Sequence, residues 1–471
     1  MSSISSSLNS LLSSMSSSSS LDLSSILEAA LGASSSGIDV SSAVSSAVTA
    51  ARAPEDIWGA EESALSSQIS ALNSIETNVT SLENDLQDLN SVTGSLSSMT
   101  VSSSNSNVVT ASAASGSSVG NHVVVVNNLA ATASWTSGTF ASSSTALPAG
   151  SFTITNGSGS TATVTTDGTK TLSDVASEIN GDNLGLTASV ITDASGARLA
   201  IVANSTGASS NFTITSSGSA NYGFTQAVTG ANASLTVDGI GISSASNTVT
   251  GAVSGLTFSL LSANPGVQVS LSVTPNTSTI ESAIKQFVTD YNTVVSDLKT
   301  QFTVTNSSEG VLATDSVVRD LQSAILSAID YTYKPSSGTT TVPNLTSLGI
   351  SVDNDGKLSL NTSTLDSALQ SHYADVQSFF QGTSLNGFAN SLDQTLSSFT
   401  SSSNGAFTVD LQSMNDQLTD LEKTVSDFET NYITPLKAQL QSEYSKAEIA
   451  LQELPNETKQ IEEELGYYSK S

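Results

Sequence analysis

Histidine occurs twice in this chain, at His122 and His372, and cysteine does not occur at all. Acid–base work near neutral pH and most transition-metal sites draw on those two residue types first. His122 precedes the valine run Val123 to Val126, and His372 lies in a helical pattern; neither has carboxylates at ligand spacing. Packing or surface roles are expected for both. Asp353-Asn354-Asp355-Gly356 opens like a calcium loop, but the stretch continues Lys357-Leu358-Ser359-Leu360 without the bidentate acid such a loop needs at its twelfth position. A hairpin turn is the expectation there. Gly239-Ile240-Gly241 has neither the third glycine nor the strand-to-helix setting of a dinucleotide loop. Serine is so abundant that Ser–acid pairings arise by chance, and no Gly-x-Ser-x-Gly elbow stands in a suitable context. Asn-x-Ser/Thr triplets, as at Asn78 and Asn211, follow from composition, and Glu462-Glu463-Glu464 reads as a solvated tail. No catalytic residue, metal ligand or cofactor is expected, and the chain is not read as an enzyme.

Composition narrows the classes further. The 471 residues carry 42 acidic and 13 basic side chains, a net charge of −29, with only 12% charged and 37% hydrophobic residues. Phosphate backbones and anionic membranes need clustered Lys and Arg, and between residues 101 and 275 only Lys170 and Arg198 occur. Nucleic acid is therefore excluded as a partner. No apolar run approaches bilayer length, so no membrane insertion is expected. Residues 1–20 are nearly all serine, with no basic start or apolar core, so no cleavable signal is read there. Such a chain belongs in the cytosol, or leaves the cell by a route that needs no cleaved signal.

With chemistry set aside, periodicity becomes the specific signal. Leu72, Ile75, Val79, Leu82, Leu86 and Leu89 recur at three- and four-residue steps, as do Leu411, Met414, Leu418, Leu421, Val425, Phe428 and Tyr432. An apolar residue every 3.5 positions holds one stripe against a partner helix. The two stripes are expected to zip together into an antiparallel coiled-coil stalk. From about 107 to 275 the pattern changes to β-branched runs bounded by turn signals such as Asp167-Gly168 and Asp238-Gly239. The expected fold class is α+β multidomain: a helical stalk made by both chain ends, topped by inserted β-rich head domains. The stalk takes 55–104 and 276–439. The first head domain takes 105–135 and 228–275, and a second, inserted one takes 136–227. Residues 1–54 form a mostly disordered anchoring segment, and 440–471 an anchoring helix and tail. Ile350 and Val352 should pair with Leu358 and Leu360 across Asp355-Gly356. Near the start, Leu21-Asp22-Leu23-Ser24-Ser25-Ile26-Leu27 is echoed by Ile38-Asp39-Val40-Ser41-Ser42-Ala43-Val44. The second copy continues through Val48 as a helix too weakly apolar to be stable alone.

The order of these parts resembles the flagellar hook-associated protein 2 family, the filament caps. Gly37-Ile38-Asp39-Val40 running through Val44 and Val48 to Pro54 is similar to the family's N-terminal signature. Phe287-Val288-Thr289-Asp290-Tyr291-Asn292 is similar to its Phe-Val-x-x-Tyr-Asn helix, and Leu348-Gly349-Ile350 through Leu358 to its hairpin. The serine-rich start and the doubled Asp-containing segment are not part of the usual pattern. The resemblance implies export through the flagellar type III apparatus, with an export chaperone, to the distal tip of the flagellum outside the cell. It implies a homo-oligomeric ring that promotes insertion and folding of flagellin and prevents its loss. Ile38, Asp39, Val40, Val44 and Val48 would then anchor to the filament. The alternatives are another axial component, such as a junction protein or flagellin relative, or an adhesin whose head binds a host-surface glycan.

Overall fold

The computed structural model describes residues 40–217, 220–304, 309–335, 338–382 and 386–468. Helices α1 (Val40–Ala51) and α2 (Ala53–Asn90) open it. Fifteen strands follow from β1 (Met99–Ser103) to β15 (Val269–Pro275), interrupted by one helix, α3 (Leu172–Gly181). Then come α4 (Thr277–Phe302), α5 (Ser316–Ala328), the hairpin β16 (Ile350–Val352) and β17 (Leu358–Leu360), α6 (Thr362–Ser371), α7 (Tyr373–Gln381) and α8 (Phe388–Thr400). Helix α9 (Ala406–Phe428), a π-helical turn at Glu429–Ile433 and α10 (Thr434–Tyr468) close the chain. Helices at both ends around a β-rich middle make an α+β multidomain fold. The chain divides into two compact units. One takes the described residues of Met1–Thr77, Asp297–Asp320 and Ser398–Ser471, the other Asn78–Ser296 and Leu321–Ser397.

The second unit holds two β cores, and alternation builds both. In β15 Val269, Leu271 and Val273 point inward and are buried, and in β11 (Ala233–Val237) Ala233, Leu235 and Val237 do the same. With β3 (Gly120–Asn128) and β12 (Ile240–Ser244), these strands belong to a five-stranded sheet ordered β1-β15-β3-β11-β12. It shares one hydrophobic core with a three-stranded sheet of β2 (Val109–Ala113), β13 (Thr248–Thr250) and β14 (Leu256–Leu260), ordered β13-β14-β2, through Val109, Val249, Leu256 and Phe258. The other core lies wholly between Ala133 and Tyr222. Its strands are β4 (Ser134–Thr136), β5 (Gly150–Thr155), β6 (Thr161–Thr166), β7 (Leu186–Asp193), β8 (Gly196–Ala203), β9 (Thr213–Ser217) and β10 (Thr225–Val228). They form sheets β10-β4-β8-β7 and β6-β5-β9, with α3 across the core through Leu172, Val175 and Ile179. Thr171 caps α3 reciprocally: its hydroxyl accepts from the Asp174 amide, and the Asp174 carboxylate accepts from the Thr171 amide.

The same unit carries a helical part. Val79, Leu82, Leu86 and Leu89 are fully buried along α2, and Ile280, Ile284, Phe287, Tyr291 and Val294 along α4. An aromatic cluster fills the space between helices: Phe388 stacks on Phe379 at 5.4 Å and meets Phe287 edge-on at 5.7 Å.

Much of the helix surface is hydroxyl rather than charge. Ser63 and Ser67 on α2 donate back to the carbonyls of Gly59 and Ser63, and Thr289 on α4 to that of Lys285. This is how a chain so poor in charge satisfies exposed helix surface.

Candidate functional site

In the first unit the two ends of the chain meet. On α1, Val44 and Ala47 are buried against Leu440 and Tyr444 of α10, with Val40, Ala43, Val48 and Leu436 packed around them. Eight residues on from Val44, the chain breaks between α1 and α2 at Arg52. Its guanidinium forks, donating to Glu55 at 2.8 Å and to Glu429 at 2.5 Å. Trp58 meets Phe428 edge-on at 5.1 Å, and Phe428 stacks on Tyr432 at 5.1 Å. Residue numbers rise on one chain end while they fall on the other (44 with 440–444, 52 with 429, 58 with 428), so the helices run antiparallel.

Both strands of this pair are irregular at the same level. Opposite the α1–α2 break lies the π turn Glu429–Ile433, followed at once by Pro435. A π turn adds a residue to one helical turn, so the apolar stripe slips past it by roughly 100°. The expected seam therefore ends early. Tyr432 is 42% exposed, while its neighbour Ile433 is buried. Tyr432 in the seam is thus corrected to Ile433. Pro435 does not end the helix: the π turn, in which the Thr434 amide donates to the Glu429 carbonyl, runs straight into α10.

Phe428 meets Trp58, and carried along the antiparallel pair that register sets Leu72 and Ile75 level with Met414 and Leu411. In the second unit the α2 residues 83–90 lie beside α8: Gln87 donates to Asp393 at 3.2 Å, Asn90 to Asn390 at 3.4 Å, and Ser397 to Glu83. Heptad spacing specifies a partner helix but not its identity. Here α8, invisible as a seam, takes Glu83 to Asn90. Of the trailing stripe, Met414 is buried in the first unit and Leu411, Leu418, Leu421, Val425 and Phe428 are half-buried. Leu72 and Ile75 are fully buried. Of the expected anchoring residues, Val44 is buried, Val40 and Val48 are half-buried, and Ile38 and Asp39 lie outside the described residues.

The Phe-Val-x-x-Tyr-Asn helix acts as a clamp inside the second unit. Asn292 on α4 donates from Nδ2 to the Leu358 carbonyl at 2.8 Å and accepts from the Leu358 amide at 2.7 Å. The amide side chain thereby imitates a neighbouring strand and fixes the β16–β17 hairpin to α4. Phe287 and Tyr291 are fully buried beside it, and burial pushes the Tyr291 hydroxyl pKa up. Gly349, at φ +79°, enters the hairpin so closely that a Cβ would stand 2.8 Å from the Asn361 carbonyl oxygen.

Two carboxyl pairs were not anticipated, because nothing in single-residue spacing announces them. Burial pushes Asp85 up to about 7, helped by a hydrogen bond to Asp290 and the charges of Asp290 and Asp88. In the first unit, burial and the contact with Asp315 push Asp410 up to about 6. Two carboxyls can hydrogen-bond only while one keeps its proton.

The residues first weighed for chemistry are occupied with structure. His122 Nδ1 lies 2.7 Å from the Asp238 carboxylate, which also accepts from the Val123 amide at 2.8 Å. Asp238 and Gly239, both at positive φ, form the two-residue turn between β11 and β12. Asp353 accepts from the amides of Asp355 and Lys357 at 2.8 and 2.9 Å, tying the hairpin turn. Among the described residues no three His, Cys, Asp or Glu gather as a metal site, and no helix is long and apolar enough to cross a membrane.

Comparison with known proteins bears on the same segments. The flagellar hook-associated protein 2 N-terminus family matches residues 36–133 and the flagellar hook-associated protein 2 C-terminus family residues 230–456. Between them, the flagellin hook IN motif matches 151–205, within the second β core. B-type flagellar hook-associated protein 2 of Pseudomonas aeruginosa is 29% identical over 350 residues, 66% of this chain and 70% of that protein. Flagellar hook-associated protein 2 of Aeromonas caviae is 30% identical over 312 residues, 61% of this chain and 66% of that protein. The crystal structure of the D1-D2-D3 domains of the flagellar cap protein FliD from Escherichia coli superposes with a TM-score of 0.58 at 25% identity, covering 73% of this chain and 99% of that one. With both terminal parts matched, the same order of modules and a shared fold, the chain belongs to the flagellar hook-associated protein 2 family, the caps of the flagellar filament.

Proposed function

We propose that copies of this chain form a ring at the distal end of the filament, outside the cell, where they admit exported flagellin, promote its folding into the open site and prevent its loss. The observation that carries this reading is the antiparallel pairing of the chain's two ends at an irregular joint. A cap that advances as subunits are added beneath it needs feet that can swing against a stiff body. The Arg52 level offers such a joint, since a helix break and a π turn lie opposite each other there. The weakly charged, hydroxyl-rich β cores give a surface that does not hold flagellin by strong ionic contacts. Export through a narrow conduit suits a chain with no cysteine, and apolar side chains such as Ile449 on α10 offer a hold for an export chaperone. The comparisons do not favour the readings as another axial component or as an adhesin with a glycan-binding head.

The test is a gene deletion, with flagellin assayed in cells, filaments and medium. Loss of filaments with monomeric flagellin in the medium, restored by the intact gene, is the expected result. Filaments of normal length in the deletion strain would overturn the reading, and label along the shaft rather than at the tip would return it to the axial alternative.

A further inference from the structure

Two short crossings of the chain join the β cores. The chain leaves the first core, built around β11 and β15, at Ala130 and reaches the second at Ala133. It returns from Tyr222 of the second core to the first at Ala233. A module held by two such crossings swings on them unless something else ties it down. Both crossings here are tied. Ala131 and Ala231 bond each other in both directions, at 2.8 and 3.2 Å. Asn247 accepts from the Ala130 amide at 2.7 Å and donates to the Ala130 carbonyl at 3.0 Å, fixing the outgoing crossing to the first core. Asn211 treats Gly230 the same way, accepting at 2.9 Å and donating at 2.8 Å, which fixes the return crossing to the second core. The buried Ser210 hydroxyl accepts from the Ala133 amide at 3.1 Å.

A further tie does not follow the crossings. The turn 204–211 leaves β8 of the second core and reaches back onto the first. Gly207 donates to the Ala131 carbonyl at 3.0 Å, the Ala208 amide to the Asn232 side chain at 2.7 Å, and the Thr206 hydroxyl to the Ala245 carbonyl at 2.6 Å. Ala245 follows β12, the edge strand of the first core's larger sheet. Because it belongs to neither crossing, a rotation about the crossings has to break its contact. The approach leaves no room for side chains. A Cβ on Gly207, at φ +103°, would stand 2.8 Å from that of Ala245. One on Gly230 would stand 2.2 Å from the Ser210 hydroxyl and 2.7 Å from the Gly207 carbonyl oxygen. Both glycines are buried.

We propose that the 204–211 turn is a latch that makes the two β cores one rigid body, so that the β-rich region carries no internal hinge. The crossings alone set where the second core sits; the latch sets its orientation. Any swinging the molecule needs must then come from outside the pair of cores. The latch lies wholly within them and holds whatever the chain's ends attach to.

The absence of native cysteine makes the test direct, since spin labels can be placed by substitution alone. One pair spans the cores, Thr250→Cys on β13 with Thr215→Cys on β9. A reference pair, Ser189→Cys on β7 with Thr215→Cys, lies within the second core. All three positions are exposed. In the full chain, double electron–electron resonance should give distance distributions of equal width for the two pairs. Thr206→Val with Asn232→Ala removes two of the latch's hydrogen bonds. It should widen the spanning distribution about twofold and leave the reference pair unchanged. A spanning distribution about twofold wider than the reference before the latch is touched would overturn the proposal. So would a latch variant that widens neither pair, because the crossings would then hold the cores unaided. Equal widening of both pairs would place the change inside the second core and overturn it too.

Discussion

At the scale of single residues, the side chains that matter most here bond backbone rather than substrate. Asn292 satisfies both polar groups of Leu358, so Asn292→Ala strands a buried amide and carbonyl together. It should cost about 1–3 kcal/mol in urea unfolding, since each unsatisfied group carries its own desolvation penalty. Asn292→Asp keeps the acceptor, loses the donor and should fall between.

The carboxyl pairs give a pH signature of opposite sign to that of the exposed acids. Asp85 and Asp410 have folded pKa values above the ordinary carboxylate range, so the folded state holds protons the unfolded chain has released. Their contribution is fully present below about pH 4 and is lost as pH rises through 6 and 7. Asp167, Asp174, Asp238 and Asp375 are shifted down by hydrogen bonds, and theirs is lost as pH falls below about 4. Stability should therefore peak between about pH 4 and 6 and decline toward pH 8. Asp85→Asn with Asp410→Asn should flatten that decline, read as thermal midpoints at pH 5 and pH 8. An equal decline in the double variant would show that the pairs do not titrate as described.

At the scale of elements, the π turn is the informative departure from regularity. Deleting Thr430 should restore an even helix through 428–434 and rotate everything after it by about 100°. Helix α1 would then lose its seat on Leu440 and Tyr444, and α2–α9 would keep theirs. Faster hydrogen exchange confined to 40–51 is the expected readout; slower exchange there would mean the regular helix presents the better face. This element also shows where sequence reading fell short. The period of 3.5 was plain in both stripes, and the β16–β17 hairpin and the turn at Asp238-Gly239 were legible from local chemistry. Pairing was not. A heptad reports that a face is covered, but α8 is short and its Leu392 and Leu396 are too few to read as a seam, so its place beside Glu83–Asn90 was hidden. The π turn was equally hidden, because Tyr432 and Ile433 are both apolar and either could continue the stripe. The Asp85–Asp290 and Asp315–Asp410 contacts join residues far apart in sequence, which no local pattern can bring together.

At the scale of the whole molecule, the first and last strands of the β region are neighbours. Strands β1 and β15 pair antiparallel, with Met99 opposite Pro275 and Val101 opposite Val273. The polypeptide thus departs from α2 and rejoins at α4 through one doorway two strands wide. Everything between can be cut out and the cut closed by a tight turn. The helical scaffold would keep the side chains that bury Leu86, Leu89, Ile280 and Ile284. A lineage could enlarge, trim or exchange that cargo without renegotiating a single helical contact, so the outward face is free to diverge at a pace the scaffold is not.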